Sequence, residues 1–192
     1  MCAHDSLGLR GSGSRGYSLV ELLVVVSLIG ALASIAIPDF SASRAERLDI
    51  AASRVAEAIR YARAEALRTG EVHGVTVSQA TQRATVMKWD LTSNPASALY
   101  TLTDPFSKQP HDFPVDTSAT AGVSIANTLD AFDYTGLGRR PSLMFDAGGT
   151  PLWIVTSGPS TYLLADGEVL LRLGNYERRV RVAAFSGRVT VQ

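Results

Sequence analysis

Residues Leu19 to Ile37 form an apolar run interrupted only by Glu21, Ser27, Gly30 and Ser34. As a helix rising about 1.5 Å per residue it extends for roughly 28 Å, close to the hydrocarbon thickness of a bilayer. Glu21 stands at its mouth, and a carboxylate at membrane depth costs about 2–3 kcal/mol or more, so its presence asks for a functional reason. Arg10 and Arg15 precede the run and no basic residue follows until Arg44. This bias places the N-terminus in the cytoplasm and the rest of the chain outside. Two plainer readings compete. Ala31-Leu32-Ala33 supplies an A-x-A site, as in a secretory signal, but the apolar region is long for a signal and contains Glu21. A simple membrane anchor leaves Glu21 without a role.

Beyond Pro38 the periodicity becomes that of an amphipathic helix. Leu48, Ala52, Val55, Ile59, Ala62 and Ala66 recur at spacings of three and four. Arginines and carboxylates interleave on the other faces, including the i,i+3 pair Arg54–Glu57, and Gly70 is a C-terminal stop. These charges are those of a solvated face, with neighbouring subunits as the functional alternative. The remainder is β-rich. Val72–Val77 and Arg83–Trp89 predict a hairpin, and Leu143–Phe145, Leu152–Val155 and Tyr162–Ala165 predict strands. Asp166-Gly167 predicts a type I′ turn, and Ser186-Gly187 another hairpin between Val180–Phe185 and Arg188–Val191. Residues 91–138 hold Pro95, Pro105, Pro110 and Pro114 and predict an irregular excursion with short strands. A long helix followed by antiparallel strands is an α+β chain.

Catalysis finds little support. His4 precedes the apolar run, His73 sits in a predicted strand in a structural or exposed position, and His111 lies among Asp104, Asp112 and Asp116 at spacings that match no zinc pattern. No G-x-S-x-G elbow occurs. Asp146-Ala147-Gly148-Gly149 reads as a turn without the alternating oxygen ligands of a calcium loop. Gly11-Ser12-Gly13-Ser14-Arg15-Gly16 spells G-x-G-x-x-G, but no strand precedes it, so it is no dinucleotide site. No catalytic residue, metal site or cofactor is expected. The formal net charge is zero. From Arg139 to the end, however, seven arginines face Asp146, Asp166, Glu168 and Glu177, a mildly basic segment.

Gly16-Tyr17-Ser18-Leu19-Val20-Glu21, the basic residues before it and the apolar run after it resemble the cleavage and methylation site of type IV prepilins and type II secretion pseudopilins. The resemblance implies that a prepilin peptidase and N-methyltransferase cuts after Gly16 and methylates Tyr17, which stands where most members have Phe. It implies that Glu21 guides assembly, pairing with the new α-amine of a neighbouring subunit, and that Pro38 kinks the helix. The implied organisation is a leader over 1–16, a transmembrane and assembly helix over 17–38, its amphipathic continuation over 39–70, and a β domain over 71–192. Cys2, the only cysteine, leaves with the leader, so the mature chain holds no disulfide.

Within that group the chain is similar to the GspH/FimT branch. The residues behind this are Arg60-Tyr61-Ala62-Arg63-Ala64-Glu65-Ala66 ahead of Gly70, Phe145-Asp146-Ala147-Gly148-Gly149-Thr150-Pro151, and Ser186-Gly187-Arg188-Val189. The implied fold is pilin-like, a long N-terminal helix packed on an antiparallel sheet. The implied role is a minor pseudopilin of a type II secretion pseudopilus, not an enzyme. It is held once in the bacterial inner membrane with its β domain in the periplasm, and its partners are the peptidase and other pseudopilins or pilins. The alternative is a FimT-like minor pilin of a type IV pilus that takes up DNA, with Arg178, Arg179, Arg181 and Arg188 as phosphate contacts. DNA-binding members carry Gly-Arg-x-Arg near the C-terminus; here Gly187-Arg188-Val189-Thr190 lacks the second arginine. Strand alternation also places Arg178 on the face opposite Arg179 and Arg181.

Overall fold

The structure is a computed structural model that describes residues 18–35, 40–91, 97–103, 108–155 and 160–192. The chain divides into two compact units, Met1–Asp39 and Phe40–Gln192. In the first lies helix α1, Leu19–Ile35. In the second, helix α2, Phe40–Thr69, is followed among the described residues by twelve strands. They are β1 (His73–Ser78), β2 (Arg83–Asp90), β3 (Ser97–Thr101), β4 (Asp112–Pro114), β5 (Ser124–Ile125), β6 (Phe132–Tyr134), β7 (Gly138–Arg140), β8 (Ser142–Phe145), β9 (Pro151–Val155), β10 (Ser160–Leu173), β11 (Tyr176–Val182) and β12 (Val189–Val191). The expected α+β class is the one observed: helix first, then a curled sheet whose strand pairs are antiparallel.

The apolar stripe explains α2. Leu48, Ala52, Val55, Ile59, Ala62 and Ala66 are all buried, and the helix lies against β1, β2, β10, β11 and β12. Full burial of each large member of the stripe contributes about 1.5–3 kcal/mol. The alanines let the helix backbone approach the sheet closely. Gly70, at φ 71°, closes the helix with its N–H on the Ala66 carbonyl at 2.9 Å. Arg68 meets Glu65 at 2.6 Å, whereas Arg54, expected to pair with Glu57, donates to Thr117 Oγ1 at 3.3 Å.

The sheet order is β12-β11-β10-β9-β8-β1-β2-β3, with β4 on β2, β5 and β6 on β10, and β7 on β6. Its inner face packs Val75, Val86, Phe132, Leu143, Phe145, Leu171 and Val180 against α2. Alternation sends Val72, Trp89, Met144 and Leu152 to the other face, where they form a smaller cluster with Met87, Trp153 and Ile154. β1 and β8 approach so closely at Gly74 that a Cβ there meets the Leu143 carbonyl oxygen at 2.1 Å.

The β1–β2 and β11–β12 hairpins form as expected. The turn expected at Asp166-Gly167 does not. Those residues lie inside β10, which runs unbroken for 14 residues, and a bulge between Leu164 and Asp166 marks the place. Gly167 is needed there because Val182, Phe132 and Leu164 crowd its Cβ position at 3.2–3.4 Å. The chain reverses instead at Gly174-Asn175, between the paired Leu173 and Tyr176. Gly174 at φ 60°, with no positive φ at Asn175, matches a type II′ turn. The bulge lets β10 pair first with β9 and then with β11, which curls the sheet.

Candidate assembly helix and arginine face

α1 is apolar on every side, and Leu19, Val20 and Leu22 to Val26 are exposed. A soluble core would bury one stripe; an all-round apolar surface is built for an apolar environment. Glu21 is exposed in the first turn, where a negative charge complements the helix N-terminus. The Ser18 carbonyl accepts from Leu22 N at 3.1 Å, and Ser27 Oγ donates back to the Leu23 carbonyl at 2.8 Å, so the Ser27 hydroxyl is satisfied within the helix. Among the described residues no helix is long and apolar enough to cross a membrane; α1 as described has 17 residues. Gly16, Tyr17 and Pro38 lie outside the described residues. Ala31-Leu32-Ala33 lies within α1.

The second candidate is the face of β10 and β11. Register sets Glu168 opposite Arg181, Leu170 opposite Arg179, and Arg172 opposite Glu177. The charges interlock. Arg181 reaches Glu168 at 2.8 Å, Arg179 stands 3.7 Å from both Glu168 and Glu177, and Arg172 meets Glu177 at 2.5 Å. The Arg172 guanidinium, hydrogen-bonded to Glu177, holds that carboxyl below its ordinary range. Arg178 points to the other face, as alternation requires, and bonds Asp49 of α2 at 2.5 Å. Three of the four arginines considered for phosphate binding are thus already matched by carboxylates. A phosphate at Arg179 or Arg181 has to compete with Glu168. Arg188, just before β12, makes no ion pair among the described residues.

Sequence reasoning missed Arg60 and Arg63 as individual residues. Arg63 leaves α2 toward the sheet and donates through Nε to the Gly149 carbonyl at 3.0 Å. Arg60 donates to the Val189 carbonyl at 3.3 Å. A Cβ on Gly187 (φ 61°) falls 2.9 Å from the Phe145 ring and 3.2 Å from Arg63 Nε. Three stretches far apart in sequence, 60–66, 145–151 and 186–189, therefore converge around Arg63. The available signal was helical phase: Arg63 lies one residue from the buried Ala62 and four before the exposed Leu67, at the edge of the stripe.

His73 is buried, its Nδ1 3.0 Å from the Glu71 carbonyl oxygen, a structural position as expected. His111 stacks on Tyr61 at 4.2 Å and meets Phe113 edge-on at 5.5 Å. Asp112 turns away to Arg83, and its carboxyl is held below its ordinary range chiefly by that hydrogen bond. The Asp146 side chain caps its own turn, accepting from Gly148 N at 2.9 Å and Thr150 N at 2.8 Å. Among the described residues no group of histidines, cysteines and carboxylates is placed to hold a metal ion.

Residues 11–37 match the family model of the prokaryotic N-terminal methylation motif. A search of curated protein sequences found no match. Among solved structures, the chain is similar to the minor pseudopilin EpsH from the type 2 secretion system of Vibrio cholerae. The identity is 13%, covering 76% of this chain and 96% of that one, with a TM-score of 0.47. A second EpsH structure gives 14% identity over 76% and 92%, also with a TM-score of 0.47. The type IV minor pilin FimU of Pseudomonas aeruginosa gives 12% identity over 76% and 92%, with a TM-score of 0.42.

Proposed function

We propose that this chain, which carries the prokaryotic N-terminal methylation motif, is a minor pseudopilin of the GspH/FimT type that enters the pseudopilus of a type II secretion system. The observation that carries the reading is the motif at residues 11–37, which contains an apolar helix with one carboxylate in its first turn and precedes a separate α+β unit. On this reading the peptidase cuts after Gly16 and methylates Tyr17. The new α-amine of one subunit then pairs with Glu21 of the next, which offsets the cost of burying that carboxylate. The apolar helix anchors the subunit in the inner membrane before assembly. The α+β unit faces the periplasm and gives the subunit its partner specificity.

The reading as a DNA-uptake minor pilin draws only on Arg188, since Arg178, Arg179 and Arg181 are bound to Asp49 and Glu168. Gel retardation at two salt concentrations separates the two: salt-sensitive DNA binding lost in Arg188→Ala favours uptake, and no binding favours secretion.

The primary test is the intact mass and N-terminal residue of the membrane-extracted protein made with a prepilin peptidase. The expected product begins at N-methylated Tyr17. A product beginning near Ser34, or an uncut chain, overturns the filament reading.

A further inference from the structure

Phe185, at the β11–β12 turn, is 82% exposed although the backbone that carries it is braced. Gly187 N donates to the Ala183 carbonyl and Ala183 N to the Arg188 carbonyl, each at 2.9 Å. Gly187 itself is wedged against Phe145 and Arg63. Packing within the chain gives no reason for a phenylalanine here, and so much apolar area in water is unfavourable unless something covers it. A braced turn has little conformational entropy left to lose when a partner docks. Leu67, one helical turn after Arg63 and against Gly149, adds a second apolar side chain, 51% exposed.

The charge around this patch differs from that on the β10–β11 face. There the arginines are matched by carboxylates, Arg172 by Glu177 and Arg181 by Glu168. Around the Phe185 turn, Arg60 donates to the Val189 carbonyl and Arg63 to the Gly149 carbonyl, while Arg188 belongs to the turn itself. Among the described residues none of these three has a carboxylate within ion-pair distance. A neutral carbonyl fixes a guanidinium in place without cancelling its charge. Two exposed apolar side chains beside three uncancelled cations have the make-up of an interface anchor, in which Phe and Arg are enriched. The complement is an apolar hollow edged by carboxylates. A second copy of this chain is a poor source of them, because Asp49, Glu65, Asp112, Glu168 and Glu177 each already hold an arginine of their own chain. Nucleic acid answers the charges, but Leu67 offers no aromatic face on which a base can stack.

We infer that the Phe185 turn, together with Leu67, is the anchor by which this subunit docks on a different pilin-like subunit, one that presents an apolar hollow bordered by Asp or Glu to Arg60, Arg63 and Arg188. The contact joins unlike chains, so it suits a subunit present in few copies and does not propagate itself. The inference rests on the proposed pseudopilin role and deepens it by naming the surface of the α+β unit that selects the neighbour.

The test uses the full chain in its native cells, with the photoreactive residue p-benzoylphenylalanine placed at Leu67. The same group at Thr81, in the exposed β1–β2 turn, gives the background. Irradiation is expected to join the Leu67 probe to one other chain that itself carries the N-terminal methylation motif, at a site beside Asp or Glu. Phe185→Ser and Arg188→Glu, both at exposed positions, each lower that yield roughly tenfold, and Arg188→Lys retains it. Changing the neighbour's carboxylate to Arg restores the yield with Arg188→Glu. A yield no greater than the Thr81 background overturns the inference, as does a yield indifferent to Phe185→Ser or to Arg188→Glu. Products dominated by a second copy of this chain, by nucleic acid or by a protein without the motif overturn it too. The N-terminal residue is read in the same samples. A missing contact with a correct Tyr17 start removes only this inference, whereas an uncut chain removes the filament reading.

Discussion

Arg63 Nε donates to the Gly149 carbonyl at 3.0 Å, joining the helix to the β8–β9 turn, while the aliphatic part of the same side chain lies against Gly187 of the β11–β12 turn. One residue thus fastens two sheet loops to α2. Gly187 is essential to the arrangement on two grounds. Its φ of 61° is costly for any residue with a Cβ, and a Cβ there sits 2.9 Å from Phe145 and 3.2 Å from Arg63. Gly187→Ala is expected to destabilise the protein by about 1–3 kcal/mol, and Arg63→Ala by about 1 kcal/mol through the lost hydrogen bond. Urea denaturation measures both. Full stability in Gly187→Ala contradicts the packing described.

Gln82 ties the β1–β2 turn to β5. Its Oε1 accepts from Ile125 N at 2.6 Å, and its Nε2 donates to the Gln79 carbonyl at 2.7 Å. It does so at φ 55°, unusual for a residue that is not glycine. Gln82→Ala removes the partner of a buried backbone N–H and keeps the backbone strain, a loss of about 1–3 kcal/mol. Gln82→Gly removes the same bonds but relieves the strain. It is therefore expected to be more stable than Gln82→Ala by roughly 0.5–1 kcal/mol, against the usual order of the two residues. Equal or reversed stabilities in thermal melts refute the assignment.

Asp112 carries a pH dependence whose sign follows from its contacts. Arg83 and Thr85 both donate to the carboxylate and lower its pKa, and partial burial opposes them. A depressed folded pKa means that the stabilisation is complete above the unfolded value of about 4 and fades as pH falls through the folded value. Glu65, lowered by Arg68, and Glu177, lowered by Arg172, act in the same direction. Asp112→Asn is expected to be less stable than the parent at pH 7 and to converge on it as pH falls through the lowered folded value. Denaturation midpoints across that range check it; a gap that is constant with pH removes Asp112 from the acid response.

Much of the architecture was visible in side-chain spacing. The α2 stripe, Gly70 and the two hairpins follow from periodicity and turn residues, which act locally. Asp166-Gly167 misled because a glycine serves a bulge as readily as a turn. Whether Gly167 ends a strand depends on Phe132 and Val182, which are distant in sequence. The Gly174-Asn175 dipeptide carried a hairpin signal of its own. At the arginine face, alternation separated Arg178 from Arg179 and Arg181 correctly. The matching of Glu168 to Arg181 and of Asp49 to Arg178 needed the strand register and the helix position, which no local pattern contains. Arg63 was one arginine among many until the fold brought Gly149 and Gly187 to it.

Glu21 bears the most consequential prediction. If it serves only as an incidental charge on an anchor, Glu21→Val improves the helix, because it removes a carboxylate that costs about 2–3 kcal/mol at membrane depth. If it pairs with the α-amine of a neighbouring subunit, the same change removes a charge pair, a loss of about 2 kcal/mol or more and so over tenfold in incorporation. The two roles therefore predict opposite signs. We expect Glu21→Val to be cleaved after Gly16 and retained in the membrane as well as the parent, yet to enter sheared filaments at under roughly a tenth of the parent level. N-terminal sequencing, membrane fractionation and filament immunoblots read the three quantities separately. Normal incorporation of the variant would falsify the pairing role, and a failure of cleavage would move Glu21 from assembly to peptidase recognition.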